Sequence, residues 1–390
     1  MPAVDLSSVR VRGIVADDRA RSSYFVFAGR RLFRVNAGSA KAELIATTPT
    51  IRKMAPKLGA SRPGCNELEI KLYSDGNWVC VTERFGTHAA LVKVDTGDAR
   101  PLRRENHDAD VSSYSIGFLR QSDTGRTLLI AQTQWNRLDV FDAATGECLT
   151  NREVKIRKLG QKAGETYPEY EYTNYVDYFH SLLLVSPDSR HFLDNGWVWH
   201  PVGTVLAFST EAFLHRWEPT AAWCSGSGDS WDRPAAFLDN RRFALALDDL
   251  RPDERLNEED LGGYKYRQLG LFTLPDFPPP DGKTTWIEPV SYVDCDVFPR
   301  NSHGEVTGEL HYDSARNCLI AITETNGAFA LSLEGEVLAH MPDVFIPAPP
   351  SPDGALGNLC ARALGWTYSA KHRVFYRYAD GGVEERTLPE

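Results

Sequence analysis

The residues of this chain best suited to molecular contact are aromatic, and they are concentrated in a few short stretches. Phe85, Trp135, Trp197, Trp199, Trp223 and Trp231, with Tyr167, Tyr170, Tyr172, Tyr175 and the neighbouring His200, form the candidate binding set. Flat rings bury large areas with few rotatable bonds, which is why exposed aromatic clusters mark binding surfaces. The densest segment is 165–178, with five tyrosines and four acids in fourteen residues. Hydroxyls, ring faces and carboxylates in that combination suit a cationic partner, with Glu169, Glu171 and Asp177 steering its approach. The same segment also suits a loop folded over a sheet edge with its rings half buried. Trp197 and Trp199, alternating with Val198, equally suit the end of a strand packed against a neighbour.

Catalytic chemistry finds less in the residues. A serine nucleophile needs a base and an orienting acid within reach. Gly226-Ser227-Gly228, set in a small, flexible stretch between Trp223 and Trp231, is the nearest approach to a nucleophile elbow, without its strand-turn-helix context. The ten histidines are dispersed, with no His-x-x-x-His or Glu-x-x-His spacing for a helical metal site. Only convergence of distant loops would make ligands of His200 and His303. No phosphate-binding or dinucleotide fingerprint occurs, so no cofactor is expected.

These side chains need a scaffold, and the turns define it. Seven short turns sit between β-like runs: at Asp17-Asp18-Arg19-Ala20, Ser74-Asp75-Gly76-Asn77, Ser122-Asp123-Thr124-Gly125, Ser186-Pro187-Asp188-Ser189, Asp239-Asn240-Arg241, Asp313-Ser314-Ala315-Arg316 and Ser369-Ala370-Lys371. A second turn follows four of them at 21 or 22 residues: Thr96 after Asp75, Thr145 after Asp123, Thr210 after Asp188 and Glu334 after Asp313. Recurrence at this period marks a repeat architecture. The third unit is the clearest, with strands expected at 113–119, 127–133, 137–141 and 147–154. Four short strands joined by hairpins make one blade of a β-propeller.

The stretch Leu138-Asp139-Val140-Phe141-Asp142-Ala143-Ala144-Thr145-Gly146-Glu147 resembles the third-strand ending of the WD40-like propeller family, with an aromatic where that family's Trp stands. Val92-Lys93-Val94-Asp95-Thr96-Gly97 echoes it one blade earlier, and Ser186-Pro187-Asp188 is similar to the family's first hairpin turn. The chain departs from the family in lacking Trp-Asp strand ends and Gly-His blade starts, and in its longer repeats. The resemblance implies an all-β, single seven-bladed propeller of four-stranded antiparallel blades, at 9–48, 66–104, 112–154, 180–218, 234–287, 308–341 and 359–388. Blade seven is short of a strand. Because open sheet edges are hazardous, residues 2–8 are expected to supply it and join the two ends. The charged segment 248–267 reads as a solvated insertion in blade five.

Composition narrows the partners. A net charge of −10 argues against a general phosphate-backbone binder and permits a basic partner. Seven scattered cysteines without a Cys-x-x-Cys pair, no apolar stretch in 1–13 and no membrane-length run point to a cytoplasmic protein with no membrane association. In a blade, the connection between strands two and three and the connection between blades open on one face, and most of the candidate residues fall in these two loop types. The expected function is a non-enzymatic protein- or peptide-binding propeller, a scaffold or an inhibitor of its partner. The alternatives are a propeller hydrolase or lyase with an axial metal, or a sugar or small-molecule pocket.

Overall fold

The computed structural model describes residues 4–6, 9–39, 41–51, 69–121, 123–160, 169–174, 176–199, 202–228, 230–247, 268–277, 285–299, 306–346 and 364–389. It is an all-β ring of seven antiparallel blades. The innermost strands are Val11–Ala16, Ile70–Ser74, Ile116–Arg120, Phe179–Val185, Ala235–Phe237, Glu309–Asp313 and Thr367–Ser369. Each is followed by one of the seven turns picked out in the sequence. Several of these turns form because an aspartate at their head accepts main-chain N–H groups two or three residues on. Asp75 takes those of Asn77 and Trp78, Asp239 those of Arg241 and Arg242, and Asp313 those of Ala315 and Arg316. Against the upward push of burial, these N–H groups help hold the Asp239 and Asp313 carboxyls below the usual carboxylate range.

The second strand of each blade is sandwiched on both faces. Ser23–Ala28, Trp78–Glu83 and Cys318–Ile322 are buried along their whole length, so their sequences are near-continuous apolar runs. Core residues fall into seven clusters, one for each pair of neighbouring blades. Phe25, Phe27 and Leu32 of blade one meet Leu72, Val79 and Val92 of blade two. At the last interface, Cys318 and Ile320 of blade six meet Trp366 and Phe375 of blade seven. Cys80, Cys224 and Cys318 are buried free thiols. No helix among the described residues is long and apolar enough to cross a membrane.

Strand numbers vary around the ring. Among the described residues, blades two, five and six have four strands, blades one and four have five, and blades three and seven have three. The expected fourth strand of blade three is not a regular strand. Only a bridge from Phe141 to Cys148 forms, because Thr150 Oγ1, rather than a backbone carbonyl, takes the Val140 N–H. In blade four, Ala222–Gly228, expected as a flexible loop, is a strand. Thr285–Ile287 adds to it in parallel from the blade-five connection. The turn expected at Thr210 opens a short helix, Thr210–Arg216, capped by Ser209. The segment 248–267 lies outside the described residues.

Closure also differs from the sequence expectation. Val4–Asp5 pairs with Lys41 and Ala42 on the outer edge of blade one, so the ends are not joined within the last blade. Side chains tie blade seven to blade one instead. The Tyr376 hydroxyl accepts the Ala16 N–H (3.2 Å), the Tyr378 hydroxyl donates to the Leu6 carbonyl (3.2 Å), and Glu385 accepts from Ser22 and Tyr24. One main-chain bond, from Gly38 N–H to the Val383 carbonyl, crosses the same seam (3.2 Å). Tyr376→Phe strands the Ala16 N–H at this seam and should lower unfolding free energy by roughly 1–3 kcal/mol. Chemical denaturation measures it, and an unchanged midpoint would show that closure rests on other contacts.

Candidate functional site

One face of the ring gathers the connections between second and third strands and those between blades, and hydrogen bonds lock them together. The Tyr114 N–H donates to the Arg84 carbonyl (2.7 Å), the His180 N–H to the Trp135 carbonyl (3.2 Å) and the Asp232 N–H to the Asn195 carbonyl (3.0 Å). Above blades three and four this face carries a cluster of rings. Phe179 stacks flat on Trp197 at 3.7 Å and meets Trp135 at 4.5 Å and Trp199 edge-on at 4.7 Å. His107 lies 5.5 Å from Trp135 and 6.4 Å from Trp199, and Trp231 lies 5.4 Å from Trp197. Burial grades across the cluster: Trp197 is 6% exposed and Trp199 46%. The chain reaches this geometry through Gly196. A Cβ there would stand 2.0 Å from the Phe179 carbonyl oxygen and 2.9 Å from the Tyr178 hydroxyl, and that hydroxyl accepts the Gly196 N–H at 2.6 Å.

Beneath the rings lies a buried cation. The Arg104 guanidinium donates to the carbonyls of Gly86, Ala109, Ser112 and Ser113 and to Gln132 Oε1, and stacks over the Tyr114 ring at 4.8 Å. It has no carboxylate within ion-pair distance among the described residues, and burial pushes it down to about 10. Arg104 therefore fixes the connection 105–115. That connection supplies the acceptors for both indoles: Ser112 Oγ for Trp197 Nε1 (2.9 Å) and the Val111 carbonyl for Trp231 Nε1 (3.1 Å).

Toward the axis, charged groups line a throat. Arg84 donates to Glu69 Oε1 (2.8 Å) and to Ser113 Oγ (3.1 Å), and lies 3.8 Å from Asp232. Ser113 in turn donates to Asp232, whose other oxygen accepts the Leu182 N–H at 2.8 Å. Across the throat, Glu309 bonds His311 (3.1 Å) and Thr367 (2.8 Å). Against the upward push of burial, His311, Lys71 and Thr367 hold its carboxyl below the usual range. Desolvation pushes Glu324 up to about 7, against its bond to Thr307 and the charge of Arg84.

Deeper in blade four, His180 Nδ1 meets Asp194 Oδ2 at 2.6 Å, with both side chains fully buried. The pair resembles two members of a catalytic triad. Its Nε2 meets no hydrogen-bond partner among the described residues. No group of three His, Cys, Asp or Glu side chains is placed to hold a metal ion among the described residues.

The structure brings together Trp135, Trp197, Trp199 and Trp231 of the expected set. Phe85 is half-buried one residue from the throat, with the Arg84 guanidinium over its ring at 4.7 Å. Trp223 is elsewhere, on the Ala222–Gly228 strand, between the buried Tyr178 (6.0 Å) and the exposed Trp286 (5.9 Å). Tyr170 and Tyr172 belong not to a loop but to a strand, Glu169–Thr173, paired with Lys155–Gly160 in a separate hairpin. Tyr167, Tyr175, His200 and His303 lie outside the described residues. Sequence reasoning missed His107, whose place in a connection between blades was the available signal, and Phe179, the first residue of an innermost strand. It also passed over Arg104, which resembles any exposed arginine until its acceptors are seen.

No family model matches the chain, and no curated protein matches it. Among solved structures, it is similar to Kuenenia stuttgartiensis hydrazine synthase, with a TM-score of 0.53 and 12% identity over 99% of this chain and 97% of that chain. At that identity the likeness carries the propeller fold alone. The WD40-like resemblance keeps only its architectural half, the seven-bladed ring.

Arg104→Met would leave the carbonyls of Gly86, Ala109, Ser112 and Ser113 without this donor and should destabilise the protein by roughly 2–5 kcal/mol, since each buried acceptor left unpaired costs about 1–3 kcal/mol. Tryptophan emission should shift to the red as the 105–115 connection loosens. A wild-type midpoint would show that this connection is held from elsewhere. Glu324 offers a pH test. A carboxyl raised in the folded state binds its proton more tightly there than in the unfolded chain. Its stabilising contribution is therefore full below about 4.5, and it is lost as pH rises through about 7. Glu324→Gln should be neutral near pH 5 and stabilising near pH 8 by up to about 2 kcal/mol, given partial exposure to water. An equal effect at both pH values would contradict this.

Proposed function

We propose that the chain is a non-enzymatic protein- or peptide-binding propeller, a scaffold or an inhibitor of its partner, whose docking surface is the ring cluster above blades three and four. One observation carries the reading. Trp199 leaves 46% of its surface in water although Phe179, Trp197, Trp135 and His107 are all within ring-contact distance. An indole propped up by other rings instead of being sealed among them is preorganised to bury its face in a partner.

A basic partner fits the charge around the shelf. Glu105 and Asp177 are exposed beside the cluster and Asp108 is half-buried, and the chain as a whole carries a charge of −10. A ring face backed by carboxylates attracts a guanidinium or ammonium. The buried free thiols Cys80, Cys224 and Cys318 suit a reducing, cytoplasmic setting. A small-molecule pocket in the channel is the second reading, favoured by the polar lining of the throat. Ligand-induced thermal shifts would register it.

The test compares wild-type protein with Trp199→Ala and Trp135→Ala on an array of basic, neutral and acidic peptides. Both variants should keep a melting temperature within about 4 °C of wild type, as changes of less than 1 kcal/mol do in a protein of this size. Each should lose tenfold or more in affinity for the bound basic peptides. A large fall in melting temperature would assign the rings to the core, and unchanged peptide binding would move the docking surface elsewhere.

A further inference from the structure

The inner strand of blade two places Glu69, Lys71 and Tyr73 on the face that meets blade three, where Tyr73 joins the core and Glu69 borders the throat with Arg84. Lys71 is in register with Thr82, so Arg84 stands diagonally across from it on the same face. The nearest acids are already engaged. Glu69 is held by Arg84 at 2.8 Å, Asp232 by Ser113 and the Leu182 N–H, and Glu309 by His311 and Thr367. Lys71 forms no ion pair among the described residues, and its ammonium rests 5.5 Å from the centre of the Tyr73 ring. Water reaches this part of the throat, since the Glu309 and His311 side chains are 37% and 25% exposed.

We infer that Lys71 is a reactive amine, a covalent site in the throat for small aldehydes and ketones. An unpaired amine beside a fixed cation, enclosed but reached by solvent, is the usual setting of a carbonyl-reactive lysine. Desolvation, and then the like charge of Arg84, push its ammonium below the ordinary lysine value, against the opposing pull of Glu309, Asp232 and Glu69. More of it is therefore a free base near neutral pH than of a surface lysine. The neutral Nζ adds its lone pair to the carbonyl carbon. The carbonyl oxygen leaves as water with the two amine protons, and a carbon–nitrogen double bond remains. No oxidant or reductant takes part.

The experiment treats the intact chain with acetaldehyde and sodium cyanoborohydride, which traps the imine as an N-ethyl lysine, and maps modified positions by peptide mass spectrometry from pH 6 to pH 9. The exposed Lys41 and Lys158 serve as internal controls. At pH 7, Lys71 should be modified at least tenfold faster than either, and this lead should narrow toward pH 9. Arg84→Gln releases Glu69 to pair with Lys71 and should slow modification there severalfold at pH 7, while Lys41 is unaffected. Folded wild-type protein in which Lys71 reacts no faster than Lys41 overturns the inference, whether the amine is charged or out of reach. The wild-type rates decide this even if the Arg84 variant does not fold.

Discussion

A guanidinium buried without a counter-ion among the described residues is unusual, and the loop-bearing face above blades three and four depends on one. Arg104 is satisfied by four main-chain carbonyls and one side-chain amide. Neutral acceptors can solvate such a cation only if they are held in position, and here they come largely from the connection between blades two and three. The cation and the loop thus order each other. With carbonyls turned inward to Arg104, the same loop offers Ser112 and Val111 to two indoles and Ser113 to the Arg84–Asp232 pair. Ring cluster and charged throat share this one support.

The two parts of the face differ in physical character. The ring cluster is graded from the sealed Trp197 to the open Trp199, so its inner members give rigidity and its outer member gives contact area. The throat is polar and largely self-paired: Arg84 with Glu69 and Asp232, Glu309 with His311 and Thr367. Among the described residues Lys71 forms no ion pair in this throat, and its ammonium rests over the Tyr73 ring instead. The buried His180–Asp194 pair belongs to neither part. It anchors Ser181, whose hydroxyl accepts the Ser113 N–H, and so joins blade four to the same loop.

Closure of the ring follows from side chains more than from strand exchange. A propeller commonly completes its last sheet with a strand from the other end, but here the first described strand extends blade one outward. Tyrosines 24, 376 and 378 fill the seam instead, with ring contact between Tyr24 and Tyr376 at 4.8 Å. The Tyr376 and Tyr378 hydroxyls meet main-chain groups at Ala16 and Leu6, on the blade-one side, and the Gly38 N–H donates to the Val383 carbonyl on the outer strand of blade seven.

The local order of this chain was legible in its sequence because it rests on short-range chemistry. Asp75, Asp239 and Asp313 form their turns with N–H groups two or three residues away, and doubly buried strands are apolar whatever their neighbours. Seven such units imply a ring, and the two loop types that share a face follow from blade connectivity. What tertiary structure decided are properties that depend on groups far apart in the chain. Whether Trp199 is open and Trp197 closed turns on Phe179 and on a loop over eighty residues earlier. Trp223 fell away from the set because its strand lies at the rim of blade four, and Tyr170 because its segment pairs with 155–160. Neither Arg104, between Arg103 and Glu105, nor Lys71, between Ile70 and Leu72, shows its surroundings in the sequence. Only the distant acceptors that reach one and are taken from the other set their roles.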